Sequence, residues 1–111
     1  MRRKAQYLKH KEHARAAVHA HLNEWNRHYN LPIRKVFIKN SRSRWGSCST
    51  LGNLNFNYRI IFLPPHLQAY LIIHELCHLQ HFNHGPEFWS LVAQTVPEYK
   101  THRREIRRIR I

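Results

Sequence analysis

Two histidines stand four residues apart in the segment His74–His78, which reads HELCH, and His84 follows six residues later. On an α-helix, positions four apart lie about 40° apart around the axis and one turn apart along it, so both imidazoles can reach one metal ion. Glu75 then lies beside that ion. In the His-Glu-x-x-His arrangement the histidines hold zinc and the glutamate takes a proton from zinc-bound water. The spacing predicts a zinc hydrolase with Glu75 as its catalytic residue and His74 and His78 as zinc ligands.

The third zinc ligand has two candidates, His81 and His84. Zinc in hydrolases usually has three protein ligands and an open position for water. A straight helix through His81 would spread the ligands over about 10.5 Å of rise, which is too far for Zn–N bonds of about 2 Å. The ligand is therefore expected beyond the helix end. His84 fits, because Asn83 tolerates the left-handed conformation and Gly85-Pro86 reverses the chain. His81 stays the alternative, and one zinc ion is expected.

The same residues predict a mechanism. Zinc would lower the pKa of its water toward about 7, and Glu75 would accept the proton. The chain has no aspartate, and Glu75 is the only carboxylate between Glu24 and Glu87, which strengthens the catalytic interpretation. A further donor should stabilise the developing oxyanion. The sequence does not choose among five candidates: Arg44, Asn55, Asn57, Arg59 and Tyr99.

The length of 111 residues predicts one domain that covers residues 1–111. No apolar run approaches the roughly 18 residues of a membrane span, and no apolar signal segment follows the basic N-terminus. Cys48 and Cys77 are too few for a disulfide framework and are expected to be reduced thiols. A soluble, cytoplasmic protein with no membrane partner is therefore expected.

Positive charge is concentrated at both ends of the chain. The formal net charge is +13, and residues 1–15 and 100–111 each carry six Lys or Arg and one Glu. Basic terminal helices favour anionic partners, nucleic acid among them. The alternative is that these are solvated helix faces that keep a small protein soluble.

Hydrophobic periodicity and turn residues predict an α+β domain with three or so antiparallel strands. Helical spacing beneath the zinc motif places it on a helix of about four turns. The expected elements, in order, are a helix over residues 4–28, a strand around 35–39, a loop over 40–53, a strand over 54–59 that 60–63 extends or follows, the active-site helix from 65, a helix after 85–86 and a basic helix after Pro97.

Several ordered motifs carry a resemblance to a known family. They are Arg44-Trp45-Gly46-Ser47-Cys48, Asn53-Leu54-Asn55-Phe56-Asn57-Tyr58-Arg59, Pro64-Pro65, the HELCH segment, His81, Asn83-His84 and Phe88-Trp89. Over roughly residues 35–108 the chain resembles the YgjP-like zinc metallopeptidases, which are related to the SprT-like and WLM zincins.

The resemblance implies that His74, His78 and His84 are zinc ligands and that Glu75 is the catalytic base. It also implies a minimal zincin-like domain with an N-terminal helix, a small antiparallel sheet, an active-site helix and C-terminal helices. The strand over 54–59 is the candidate edge that receives an extended peptide substrate. Two alternatives to a peptidase stay open: a zinc-dependent nucleotide phosphohydrolase, and a basic nucleic-acid-binding module with a structural zinc.

Overall fold

A long helix, a three-stranded sheet and three shorter helices follow one another in the computed structural model, which describes residues 2–111. The elements are α1 (Arg2–Tyr29), β1 (Lys35–Lys39), β2 (Gly46–Cys48), β3 (Asn53–Asn57), a 3₁₀-helix (Tyr58–Phe62), α2 (Pro65–Cys77), α3 (Pro86–Ala93) and α4 (Tyr99–Arg107). No helix among these residues is long and apolar enough to cross a membrane. The α+β class is confirmed.

The end of α1 is built by two asparagines. Asn30 takes the left-handed conformation with φ 51°, which asparagine tolerates better than most residues. The Asn26 side chain accepts from the Leu31 backbone N–H at 2.9 Å and donates to the Leu31 carbonyl at 3.0 Å. These two bonds satisfy the backbone N–H and carbonyl groups of Leu31, where the chain leaves the helix just before Pro32.

The sheet is mixed, so the prediction of a purely antiparallel sheet is wrong. The strand order is β1-β3-β2, with β1 parallel to β3 and β2 antiparallel to β3. A tight turn joins β2 to β3, where Gly52 has φ +90° and donates to the Ser49 carbonyl at 3.0 Å. A tight turn forces an antiparallel pair, whereas the long connection from β1 permits a parallel one. Strand β2 lies inside the segment 40–53 that was predicted to be a loop, so the sequence pattern identified β1 and β3 but neither β2 nor the order of the strands.

The strand over 54–59 is shorter than predicted and lies at the centre of the sheet. Strand β3 ends at Asn57, and residues 58–62 form a 3₁₀-helix instead of more strand. The cause is the Asn57 side chain, which caps the Arg59 N–H at 3.0 Å and donates to the carbonyls of Ser41 and Arg44 at 2.9 and 3.0 Å. Because β3 is paired on both sides, it cannot be the edge that receives a peptide. The free edge beside α2 belongs to β2.

The apolar core surrounds α2. Seven α2 residues are buried together with residues of α1, β3, α3 and α4, and the α2 members are Leu67, Tyr70, Leu71, Ile72, Ile73, Leu76 and Cys77. Helix α1 contributes a stripe that recurs every four residues, formed by Ala14, Val18 and Leu22. Burial on nearly every face of α2 fixes the direction in which its last turn points, and that turn carries the zinc motif.

The two leucines of α1 test this packing. We expect Leu22→Ala to lower the free energy of unfolding by about 2–3 kcal/mol, because Leu22 is 3% exposed and its loss leaves a cavity. Leu8→Ala is the matched control on the same helix, since Leu8 is 57% exposed and we expect its change to stay within about 0.5 kcal/mol. Urea denaturation followed by circular dichroism measures both. Equal effects would contradict the placement of the α1 stripe.

Candidate metal centre and active site

The HELCH segment occupies the last turn of α2 and its C-terminal cap. Helix α2 ends at Cys77, and the cap residue His78 keeps helical angles (φ −64°, ψ −19°), with its N–H bonded to the His74 carbonyl at 3.3 Å. The i, i+4 relation of His74 and His78 is therefore preserved across the helix end. Residues 79–85 then form turns and loop before α3 begins at Pro86.

Three imidazole nitrogens meet beside this helix end. The Nε2 atoms of His78 and His84 are 3.0 Å apart, and those of His84 and His74 are 3.2 Å apart. Two nitrogens bound at about 2.0–2.1 Å to one tetrahedral zinc ion would be about 3.3 Å apart. The spacing of the three donors therefore fits one zinc ion.

The His81 ring is not part of this cluster. Its backbone carbonyl instead accepts from Nδ1 of His78 at 2.9 Å. That bond places the proton of His78 on Nδ1 and leaves Nε2 as a lone-pair donor, which is the usual arrangement behind a metal-ligating histidine. The structure thus brings His84, and not the His81 ring, to the pair. Asn83 is not left-handed, since Asn30 is the one non-glycine residue with positive φ among residues 2–111. The prediction that a left-handed Asn83 would turn His84 toward the metal is therefore wrong.

The protonation states of the cluster suit metal binding. Burial lowers the pKa of His78 below the usual range of histidine, and the charge of His74 adds to the effect. Partial burial likewise lowers the pKa of His84, with further contributions from His74 and His78. A zinc ligand must be a neutral imidazole with a free lone pair. Both shifts favour that form at neutral pH.

Glu75 is buried beside His74 and faces the sheet. Its side chain is 6% exposed, and Oε2 accepts from Nδ1 of His74 at 3.1 Å. This bond turns the other nitrogen of His74 toward His84. Glu75 also lines a cleft with all three histidines and with Gly46, Ser47 and Cys48 of β2, so the carboxylate lies between the metal donors and the free edge of the sheet.

Two aromatic residues of α3 support the histidine rings. Phe88 stacks on His78 with centroids 4.3 Å apart and planes at 19°, and Trp89 stacks on His84 at 5.7 Å and 24°. Phe88-Trp89 is one of the motifs that carry the family resemblance, but neither residue was predicted to support the metal ligands. Their closeness to His84, across Gly85-Pro86, was the available signal. Stacking restricts both rings and so preorganises the cluster.

Gly46 is a site position that motif spacing does not reveal. A Cβ atom there would lie 3.0 Å from Cγ and 3.2 Å from Oε2 of Glu75, and 3.1 Å from the Asn55 carbonyl. We expect Gly46→Ala to displace the Glu75 carboxylate and to lower kcat/KM by roughly tenfold or more, with metal content unchanged. Gly85→Ala is the matched control, because its Cβ would meet only Oε2 of Glu87 at 3.6 Å. Similar activity in both variants would contradict the role of close packing at Gly46.

Arg44 is the candidate oxyanion donor that remains available among the five. Its side chain lines the Glu75 cleft and has no hydrogen-bonded or stacked partner among residues 2–111. Asn57 and Arg59 bond to the loop over 40–44, and Asn55 donates to Ser47 Oγ at 3.2 Å. Tyr99 stacks on Trp89 at 4.7 Å. The side chains of these four residues are therefore held by structural contacts, which disfavours them as oxyanion donors.

The two cysteines are free thiols, as expected, and are unsuited to nucleophilic catalysis. Burial raises the pKa of Cys77 to about 12. Burial, followed by the negative charge of Glu75, raises the pKa of Cys48 to about 11. Because the thiolate is the reactive form, less than about one thiol in 1,000 is reactive at pH 7.5. We expect brief iodoacetamide treatment of the native protein at pH 7.5 to leave its activity unchanged; rapid inactivation at that pH would contradict this.

A second group of possible metal donors lies between α2 and α4. Donor atoms of His66, His102 and Glu105 lie within 4.8 Å of one another. Nε2 of His66 is already 3.0 and 3.1 Å from the two carboxylate oxygens of Glu105, and both side chains are more than 40% exposed. We interpret this group as a solvated ion pair that joins α2 to α4, consistent with one zinc ion per chain.

Comparison with solved structures identifies the fold. The chain is similar to the metallopeptidase zymogen of Pyrococcus abyssi abylysin, with 22% identity, a TM-score of 0.66, and coverage of 84% of this chain and 90% of that one. It is also similar to the metallopeptidase zymogen of Methanocaldococcus jannaschii jannalysin, with 22% identity, a TM-score of 0.63, and coverage of 86% and 94%. The fold is that of a zincin-like metallopeptidase.

The family is shown by the sequence itself. The family model for the YgjP-like metallopeptidase domain matches residues 1–109, so the chain belongs to the YgjP-like metallopeptidases and is a metallohydrolase. This confirms the resemblance drawn from the ordered motifs. No curated protein matches the chain.

Proposed function

We propose that this protein is a zinc-dependent peptidase in which His74, His78 and His84 hold one zinc ion and Glu75 is the general base. The convergence of three imidazole nitrogens, 3.0 and 3.2 Å apart, beside a buried carboxylate carries the proposal. A purely structural zinc site would normally be closed by four protein ligands. The three donors here leave one position for the chemistry.

A bound zinc ion would supply Lewis acidity, which polarises a carbonyl and makes water a stronger acid. The chain's own residues do the remaining work. Glu75 accepts the proton of the attacking water and returns it to the leaving amine. Its contact with Nδ1 of His74 holds the carboxylate next to the metal donors. Arg44, at the rim of the same cleft, is the candidate that stabilises the developing oxyanion.

The substrate binds as an extended peptide along β2. Strand β2 pairs only with β3 among the described residues, which leaves its other edge free. Its residues Gly46, Ser47 and Cys48 line the cleft that holds Glu75. Addition of a peptide strand at this edge would bring a peptide bond alongside the carboxylate. This assignment replaces the predicted edge over 54–59, which the central position of β3 excludes.

The alternative in which the basic ends bind nucleic acid around a structural zinc finds no support in the comparisons, which all name metallopeptidases.

Peptide hydrolysis is therefore tested first, with a mixture of fluorogenic peptides and the zinc-loaded protein. We expect hydrolysis that 1,10-phenanthroline abolishes and added zinc restores. Hydrolysis that survives complete zinc removal would overturn the proposal, as would a zinc-loaded protein that cleaves no peptide.

A further inference from the structure

A second cleft adjoins the metal centre and is lined by three arginines. It has a volume of about 280 Å³ and shares His74, Glu75 and His84 with the site described above. Arg44 enters it from the loop before β2, and Arg103 and Arg107 enter it from α4. No step of the proposed hydrolysis uses the two α4 arginines.

The spacing on α4 explains why these two side chains face the cleft. Arg103 and Arg107 are four residues apart and so share one face of the helix. Ile106 is buried beside them and fixes the rotation of the helix against α2. Arg103 and Arg107 are exposed to solvent, as are Arg104 and Arg108 of the same segment, but only the first pair lines the cleft. The basic residues of this segment therefore divide into a pair that lines the cleft and a pair outside it.

The cleft is positively charged and lacks a balancing acid. Glu75 is the only carboxylate in its lining, and none of the three arginines forms an ion pair with a carboxylate within residues 2–111. The guanidinium of Arg103 lies 5.3 Å from the centre of the Trp89 ring, which holds it near His84. Unpaired guanidinium groups in a concave site are donors that a carboxylate can satisfy with two parallel hydrogen bonds.

Two ring contacts show how close this charge lies to the metal centre. Tyr70 lines the cleft together with Arg103 and Arg107, and its ring centroid is 5.8 Å from that of His74. Trp89, whose ring centre is 5.3 Å from the Arg103 guanidinium, stacks on His84 at 5.7 Å.

We propose that this arginine cleft is a subsite for the carboxylate of an acidic side chain of the peptide substrate, next to the bond to be cleaved. The proposal rests on the proposed peptidase function. The cleft includes Gly46 of β2 as well as Glu75, so a peptide paired along β2 would extend into it. A carboxylate there would compensate the positive charge of the arginines.

Binding to an inactive protein tests the subsite without requiring turnover. The probes are two fluorescent peptides that differ only by Glu or Gln beside the expected cleavage position, with amidated C-termini, and the protein is zinc-loaded Glu75→Gln. We expect the glutamate peptide to bind about tenfold more tightly by fluorescence anisotropy at low salt, since a hydrogen bond to a charged group has roughly that effect. The difference should shrink as salt rises.

Charge-matched variants separate the cleft from general attraction by a basic protein. Added to Glu75→Gln, the pair Arg103→Gln and Arg107→Gln should abolish the preference for the glutamate peptide. The pair Arg104→Gln and Arg108→Gln removes the same charge from neighbouring exposed positions outside the cleft and should retain the preference. Loss of preference in both pairs, or in neither, would overturn the subsite.

The outcomes distinguish the subsite from the peptidase proposal. If the active protein cleaves both peptides equally and the inactive protein binds them equally, the subsite is wrong and the peptidase stands. If the inactive protein prefers glutamate but no peptide is cleaved, the peptidase proposal fails at the chemical step. If a nucleoside triphosphate displaces the glutamate peptide and is itself hydrolysed while peptides are not, the cleft binds phosphate and the peptide subsite is overturned.

Discussion

Replacement of Glu75 by glutamine is expected to lower kcat/KM for peptide hydrolysis by about 10²–10⁴-fold, because glutamine cannot accept the proton of the attacking water. The variant keeps nearly the same shape, and an amide oxygen can still accept the 3.1 Å hydrogen bond from His74. Zinc content and the thermal unfolding midpoint should therefore stay close to those of the unchanged protein. Fluorogenic peptide assays, elemental analysis and thermal scans measure the three quantities.

Glu24→Gln is the matched control for this experiment. It removes one negative charge by the same chemical change, but Glu24 lies exposed on α1, outside the residues that line either cleft of the metal centre. We expect its kcat/KM to stay within about twofold, in line with the small effects of exposed substitutions. A fully active Glu75→Gln variant that still holds zinc would refute the assignment of the base.

Replacement of His84 by alanine is expected to reduce bound zinc from about one ion per chain to well below that after dialysis, with loss of hydrolysis. One of three donors disappears, and even the loss of a residue that only orients a ligand usually costs 10–100-fold in metal affinity. His84 is exposed and lies in the loop before α3, so the fold should survive. Elemental analysis after dialysis against a defined zinc buffer gives the metal content, and circular dichroism checks the fold.

Two histidine controls make this result specific. His81→Ala removes a ring outside the cluster but keeps the carbonyl that accepts from His78, so zinc should be retained. His66→Ala removes a member of the second cluster and should also leave the zinc content at about one. Full retention of zinc by His84→Ala would break the ligand assignment. A drop from two ions to one in His66→Ala would show that the second cluster binds metal.

Much of the site could be predicted from local sequence. The i, i+4 spacing of His74 and His78 needs only a helix, and the apolar pattern of α2 predicts that helix. Distance arguments along a helix axis also favoured His84 over His81 as the third ligand, and the structure brings the Nε2 atom of His84 to 3.0 and 3.2 Å from those of His78 and His74. The conformation of the connecting loop was wrong at Asn83, because several backbone paths can bring a residue back within six positions.

The sheet shows where local reasoning ends. Alternation of apolar residues identified the strands around Val36, Ile38, Leu54 and Phe56, but the strand order decides which edge is free. A capping asparagine, Asn57, ended β3 earlier than its side-chain pattern suggested. Its partners, the carbonyls of Ser41 and Arg44, are 16 and 13 residues away, so no local pattern reports the bond.

The sequence by itself determined the family to which the chain belongs, and it was enough to predict the chemistry that we propose, namely which side chains hold zinc and which carboxylate acts as the base. These properties follow from residue type and from spacing within one helix and the loop after it. Only the tertiary structure decided that β2 is the edge strand beside the metal centre, that Gly46 lies against Glu75, and that Arg103 and Arg107 line the adjoining cleft. The physical reason is that these contacts join elements distant along the chain, and their geometry is set by packing around α2, not by local preference.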